Sequence, residues 1–374
     1  MEREELAAWL RLAMAPGVGR GTARRLLAAF GLPQQIFDQG PEALATVAGA
    51  AQVQALRSEP EGWAQLVGVT WAWLQQDGAH GSRRVLTLAD PGYPQQLLQT
   101  EDPPLMLYVH GMSLAEWPKG ISIVGSRNPT PQGANNAQQF GRSFAQAGWT
   151  VVSGMALGID AAAHQGALEG GRPGQVATIA VVGTGLDRVY PSQHRELAHR
   201  IAAQGLLVSE YPLGMPPLAE NFPRRNRIIA ALGQGTLVVE AALRSGSLIT
   251  ARMAAEQGRE VFAVPGSIHS PQARGCHELL RQGAKLVETA QHVLEELSSA
   301  APARVATAAP APATGPAAES FLLQALGHDP VGLDALVART GTSAADLQAQ
   351  LLELELEGHV ARLPGGLFQR LERG

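Results

Sequence analysis

Between Gly120 and Glu288 the chain alternates short, wholly apolar runs with segments of helical length. The apolar runs are ISIVG (Ile121 to Gly125), TVVSG (Thr150 to Gly154), ATIAVVGTG (Ala177 to Gly185), LLVSE (Leu206 to Glu210), TLVVE (Thr236 to Glu240) and EVFAV (Glu260 to Val264). A strand that is apolar at every position, not at every second one, is covered on both faces, which is the condition of a parallel sheet. Parallel neighbours need a crossover between them. The segments Gln132 to Gly148, Gly158 to Gly170, Gln193 to Gln204 and the stretch opening at Asn221 have the length and periodicity to supply it. The pattern therefore predicts an α/β unit with an extended, Rossmann-like, mostly parallel sheet of about six or seven strands. His277 to Gln282, Lys285 to Glu288 and His292 to Leu297 close it.

The flanks read differently. Residues 1–85 are helical: Glu5 to Ala13 stops at Pro16-Gly17, and Thr22 to Phe30 stops at Gly31. The Gly17-Val18-Gly19 turn between them resembles one helix-hairpin-helix unit of a small, SAM-like helical domain, with a weaker second copy around Leu44 to Gly49. Such a turn either presents backbone N–H groups to a phosphodiester or simply packs. Trp63, Trp71 and Trp73 read as core, with base stacking as the other possibility. Residues 86–297 take in the Pro-rich connector Asp90 to Pro104, a short strand Leu105 to Val109, and the α/β unit. Residues 298–318, SSAAPARVATAAPAPATGPAA, have too little apolar bulk for a core and read as a linker. Residues 319–374 show helices at Glu319 to Leu326, Gly332 to Thr340 and Ser343 to Glu357, then a β-pair turning at Pro364-Gly365-Gly366, the order of a winged-helix domain. Its third helix carries Asp346, Glu353, Glu355 and Glu357 and no cation, so the domain is expected to contact protein, or nothing, and not a major groove.

Composition narrows the functional classes. The 374 residues carry a net charge of −4, so any binding of nucleic acid has to use a local patch. Cys276 is the only cysteine, which excludes an intrachain disulfide and a multi-cysteine zinc site and suits a reducing compartment. The N-terminus, MEREELAAWL, is charged and lacks the pattern of a signal peptide, and no run approaches the roughly 18 apolar residues of a membrane span. A cytoplasmic protein without metal or cofactor is expected.

In doubly wound sheets, ligands bind where the strands end. Several turns there are rich in small residues: Gly125-Ser126-Arg127, Ser153-Gly154 running on to Gly158, Gly183-Thr184-Gly185 before Tyr190-Pro191, and Ser245-Gly246-Ser247. None is a Walker A loop, and the third glycine of a dinucleotide fingerprint is missing. Arg224, Arg225 and Arg227 open one helix beside Asn226, and Ser245-Gly246-Ser247 opens the next. Arginines and helix N-termini both favour anions, so the two together predict a phosphate-binding ledge. Phe222 is either a packing residue before that helix or a base-stacking ring. A hydrolytic reading also exists. Gly233-Gln234-Gly235-Thr236 with Glu240 is reminiscent of nucleotide phosphoribohydrolases, with Glu210 and Asp160 as further carboxylates. Against it, Glu240 caps a helix or pairs with an arginine, and Asp160 and His164 are a helix-start acid and a satisfied histidine. No catalytic residue is assigned.

GSRNPTPQG, SGMALGIDAAAHQGAL, AVVGTGLDRVYPSQH, SEYPLG, NFPRRNRIIAAL and EAALRSGSLITARMAAEQGREVFAVPG together resemble the DprA/Smf (DNA-processing protein A) family across about residues 121–290. The resemblance implies a non-enzymatic protein that binds single-stranded DNA with little sequence preference. It further implies protection of incoming strands in natural transformation, loading of the RecA recombinase, a role in recombination and repair, and action as a homodimer. Its implied DNA-binding residues are Arg127, Arg224, Arg225, Asn226 and Arg227, with backbone donors from Ser153-Gly154 and Ser245-Gly246-Ser247. Gly125, Ser126, Gly185 and Phe222 join them from the turns above. The implied self-association surface holds His277, Leu280 and Leu286. The alternative is a Rossmann-like nucleotide-binding or nucleotide-cleaving enzyme.

Overall fold

The computed structural model describes residues 1–76, 81–299, 321–326, 331–333, 336, 344–357, 359–363 and 367–370. The chain forms two compact units, Met1–Ala303 and Arg304–Gly374.

The first unit begins with six helices: α1 Arg3–Met14, α2 Arg20–Phe30, α3 Pro33–Phe37, α4 Pro41–Ala45, α5 Ala50–Arg57 and α6 Trp63–Leu74. After them come β1 Ser82–Thr87, α7 Gln95–Leu98, β2 Met106–Gly111, β3 Gly120–Val124, α8 Pro131–Gln146, β4 Thr150–Ser153 and α9 Ile159–Gly170. The unit continues through β5 Thr178–Val181, α10 Arg195–Gln204, β6 Leu206–Ser209, α11 Asn221–Leu232, β7 Gly235–Val238 and α12 Ser247–Glu256. It closes with β8 Glu260–Ala263, α13 Arg274–Arg281, β9 Lys285–Leu286 and α14 Ala290–Ser299. The strands form one nine-stranded sheet in the order β1-β2-β6-β5-β4-β3-β7-β8-β9. From β6 to β9 every pairing is parallel. β2 lies antiparallel on β6, and β1 antiparallel on β2.

The sheet thus exceeds the six or seven strands expected. β1 was not expected, and the short strand expected at Leu105 to Val109 joins the sheet as β2, while β9 falls within the closing segment Lys285 to Glu288. In SRRVLT only Val85 and Thr87 are buried, Ser82 is exposed and Arg83, Arg84 and Leu86 are half-buried, so this edge strand lacks the apolar run by which its neighbours are recognised.

Each face of the sheet is covered. Val124, Val208 and Val238 pack under Ile228 and Ile229 of α11 and Ala251 of α12. Ile121, Ile123 and Leu237 pack under Phe140 and Phe144 of α8, Ile159 of α9 and Val293 of α14. The N-terminal helices do not form a core of their own. Leu6, Trp9, Leu26 and Trp73 share one with Val85 of β1 and Met106 and Tyr108 of β2. The tryptophans are structural: Trp63 donates its Nε1–H to the Ala7 carbonyl at 2.8 Å, and Trp73 meets Tyr108 edge-on at 6.1 Å. The two glycine turns are tied to each other, since Gln52 donates to the Gly17 carbonyl at 2.8 Å and accepts from the Gly49 N–H at 3.0 Å.

The second unit contains α15 Phe321–Leu326, β10 Val331–Gly332, α16 Ala344–Leu356, β11 Val360–Leu363 and β12 Leu367–Arg370, with an antiparallel sheet in the order β10-β12-β11. Leu322, Leu326, Leu336, Leu347, Leu351, Val360 and Phe368 fill its core. This is the winged-helix arrangement. Most of the helix expected at 332–340, the linker from residue 300 onward and the turn at 364–366 lie outside the described residues. No helix among the described residues is long and apolar enough to cross a membrane.

Candidate functional site

The chain order of the strands reverses between β3 and β7, whose residues Ser122, Ile123 and Val124 lie beside Thr236, Leu237 and Val238. In sheets of this class a crevice opens at that point, beyond the carboxyl ends of the strands. Here it is an open cleft of about 480 Å³, walled by Gly125 to Asn128 after β3, by Ala242 to Ser247 after β7, and by the first turns of α11.

The turn after β3 is held rigidly. The Ser126 N–H donates to the Glu240 carbonyl at 2.7 Å, and the Ser126 carbonyl accepts from the Ile159 N–H at 3.1 Å. The Ser126 hydroxyl accepts from the Asn128 N–H at 3.1 Å. Arg127 projects from this fixed turn into solvent, and its guanidinium carbon lies 5.9 Å from the centre of the Phe222 ring. The opposite wall carries Arg244, also exposed. Among the described residues neither arginine makes an ion pair. Between them, the Ser247 N–H at the start of α12 is turned onto the Ser245 hydroxyl, 3.3 Å away. Arg244 belongs to the site but was not singled out in the sequence; its position directly before the Ser-Gly-Ser helix start was the available signal.

The arginines of α11 diverge. A helix turns its consecutive side chains by about 100°, so neighbours in sequence face different surroundings. Arg224 is exposed and pairs with Glu220 at 3.3 Å. Arg225 points inward, lines the floor of the cleft and donates to the Val181 carbonyl. Burial pulls its guanidinium down to about 10, opposed by the charge of Asp160. Asn226 reaches across the cleft, where its amide lies 3.5 Å from the Gly246 carbonyl. Arg227 faces away altogether. It pairs with Glu210, which also takes Arg20 of α2 at 2.8 Å, and Asp102 sits 3.8 Å from Arg227 and 2.6 Å from Arg20. The ledge expected from three adjacent arginines is therefore divided: one cation lines the cleft, one is on the open surface, and one belongs to a half-buried ionic network.

The polar groups of the remaining turns are engaged within the protein, and of these residues Asp160 and Ala156 line the cleft. Asp160 accepts from the N–H groups of Gly154 at 3.1 Å and Ala156 at 3.3 Å. Burial pushes its carboxyl up, against the pull of Arg225 and those donors. The Gly154 donor is thus engaged within the protein. A Cβ on Gly154 would fall 2.1 Å from Arg225 Nη1, so glycine is required there for the guanidinium to lie flat against the turn. Ser153 is fully buried and donates to the Ile123 carbonyl at 2.6 Å. Gly185 donates to the Met215 carbonyl at 3.1 Å, in the neighbouring loop and outside the cleft wall. His164 is buried with Nδ1 2.6 Å from Thr178 Oγ1, and burial, then His194 and Arg225, bring it down to about 3.

Glu240 is the natural candidate for a catalytic acid, and it lies outside the cleft. Its carboxylate accepts from the Thr130 hydroxyl at 2.6 Å and the Thr130 N–H at 2.9 Å. Thr130 in turn caps α8 by accepting from the Gly133 N–H at 3.0 Å, with Pro131 at the first helical position. Glu240 is a clamp between the end of β7 and the start of α8, a variant of the capping role weighed from the sequence. At the far edge of the sheet, His277 contacts the Gly266 carbonyl at 3.0 Å, Leu280 is half-buried against the core, and Leu286 of β9 is 53% exposed.

Comparison with known proteins agrees with this architecture. The family model described as DNA recombination-mediator protein A matches residues 84–298, and that described as the DprA winged helix domain matches residues 306–366. Protein Smf of Escherichia coli is 43% identical over 80% of this chain and 80% of its own length. DNA processing protein DprA of Streptococcus pneumoniae is 44% identical over 60% of this chain and 79% of its own. The X-ray structure of that pneumococcal protein aligns with a TM-score of 0.66 and 35% identity, covering 79% of this chain and 98% of that one. A structure of DNA processing protein A from Helicobacter pylori, described by its single-stranded DNA binding mode, aligns with a TM-score of 0.52 and 32% identity over 58% of this chain and 97% of that one. With its sheet, its second unit and its sequence all matching, the chain belongs to the DNA recombination-mediator protein A family, the DprA/Smf proteins.

Proposed function

We propose that the cleft beyond β3 and β7 binds single-stranded DNA, and that the protein protects incoming strands in natural transformation and passes them to the RecA recombinase. The observation that carries this reading is the pair of exposed arginines, Arg127 and Arg244, on facing walls of a cleft whose one carboxylate, Asp160, is already engaged by Arg225 and two backbone N–H groups. Such a site attracts phosphates and has little means of reading bases in a duplex groove. The single-stranded DNA named in the description of the Helicobacter pylori structure fits the same chemistry.

The protein acts in the cytoplasm as a homodimer. In support, Leu286 on the edge strand β9 is exposed, and His277 and Leu280 of α13 are only partly buried. The acidic α16 of the winged-helix unit, with Leu352 and Leu356 exposed, suits a protein partner better than a nucleic acid. The activity is binding. A nucleotide-cleaving reading would need Glu240 in the cleft, and Glu240 is held by Thr130.

The test is fluorescence anisotropy on an oligothymidine of about 35 nucleotides across a salt titration, where each phosphate contact adds about −0.7 to the slope of log K against log salt. Arg127→Glu and Arg244→Ala each weaken binding and flatten the slope, while Glu240→Gln leaves it unchanged. Binding that ignores both arginine substitutions would remove the strand from this cleft.

A further inference from the structure

We infer that Tyr190 is the residue on which the first base of a bound strand stacks, with Phe222 as its backing. This rests on the reading that the cleft holds single-stranded DNA. Phe222 is the aromatic residue in the cleft wall, but its ring already has two neighbours. Arg127 lies over it at 5.9 Å and Tyr190 lies against it with ring centres 5.4 Å apart. The end of β5 sits close as well, since a Cβ on Gly183 would come within 3.1 Å of the Phe222 ring. Its backbone is fixed too: Asn221 donates to the Gly183 carbonyl at 3.1 Å, and Tyr211 donates its hydroxyl to the Asn221 carbonyl at 3.3 Å. Phe222 is a wall, not a free platform.

Tyr190 is the opposite. It is 48% exposed, and its hydroxyl is bonded to no other described residue. The two rings are inclined by 34°, closer to stacked than to edge-on, so Phe222 supports Tyr190 while about half of the tyrosine stays exposed. The order Arg127, Phe222, Tyr190 therefore runs from a phosphate-binding cation, through a buttress, to an exposed π-face. An exposed ring held against a second ring loses little freedom when a base settles on it, and base–aromatic stacking tolerates any sequence because every base has a π-face. The site would thereby prefer unpaired nucleotides, whose bases are free to leave their neighbours.

The experiment compares an oligothymidine with an abasic chain of the same length and phosphate count, using wild type, Tyr190→Leu and Tyr190→Phe. Wild type binds the oligothymidine more tightly than the abasic chain. Tyr190→Leu loses about tenfold on the oligothymidine, equivalent to about 1.4 kcal/mol, and nothing on the abasic chain. Tyr190→Phe keeps the wild-type preference, and all three proteins unfold at the same temperature. Equal losses on both chains, or no loss on either, overturn the assignment of Tyr190 and leave the arginine cleft standing. Failure of wild type to bind either chain overturns the cleft reading itself, and this inference with it.

Discussion

Arg227→Met separates the arginine that supports the fold from those that face the cleft. Arg227 and Glu210 are both sheltered, with side chains 15% and 6% exposed, and Arg20 holds the same Glu210 oxygen at 2.8 Å. Removing one partner of a buried ion pair typically costs about 3–5 kcal/mol; with Arg20 still in place, the loss here falls to about 2–3 kcal/mol. The dependence on pH is a second signature. Burial holds the Glu210 carboxyl above its unfolded value, against the pull of Arg227 and Arg20. The folded state therefore keeps a proton over the interval between the two values. Stability from this group is greatest below the unfolded value and declines as pH rises through the folded one. Losing Arg227 raises the folded value further, so the deficit of the variant is largest at neutral pH and narrows on acidification. Urea unfolding at several pH values, beside oligothymidine anisotropy, measures both. A Glu210→Gln/Arg227→Met double variant loses less than the sum of its parts, because the two residues share one interaction. An unchanged urea midpoint together with weakened DNA binding would refute the division of the arginines drawn above.

Two further outcomes follow from the packing beneath the cleft. Gly154→Ala places a methyl 2.1 Å from Arg225 Nη1, in a site where the guanidinium donates to the Val181 carbonyl and lies in the field of Asp160; overpacking of this kind costs about 1–3 kcal/mol, and a wild-type unfolding midpoint would show that Arg225 is free to move. His164, brought down to about 3 from 6.5, is neutral in the fold, so unfolding near pH 5 takes up a proton there and stability falls as pH drops below 6.5. His164→Gln removes that contribution, up to about 1.4 kcal/mol per pH unit, and an identical pH slope in wild type and variant would contradict the assignment.

How legible each part was in the amino-acid sequence follows from what determines it. The parallel strands were legible because burial on both faces leaves a local mark, as in Ile121 to Val124 and Thr150 to Val152. β1 was not, because a half-wet edge strand containing Arg83 and Arg84 has no such mark. At the site, Gly125-Ser126-Arg127 and Ser245-Gly246-Ser247 were found because turns between strands and helices have their own chemistry. The fates of Arg224, Arg225 and Arg227 were not separated, since partners distant in sequence decide them: Val181 and Asp160 for Arg225, Glu210 and Asp102 for Arg227. One clue was available. Arg225, Ile228, Ile229 and Leu232 are all buried at helical spacing, which puts Arg225 on the inward stripe of α11.

The cleft is also uniform in the kind of cation it uses. Arg127, Arg225 and Arg244 are its basic groups, and the chain's two lysines lie elsewhere, at Lys119 and at Lys285, which pairs with Glu260 and Glu296. A lysine-lined groove can be silenced by acetylation, and amine-reactive crosslinkers attach to it readily. This one offers neither reaction a target: acylating enzymes and succinimidyl esters pass it by, and arginine-directed dicarbonyls are the reagents that would reach it.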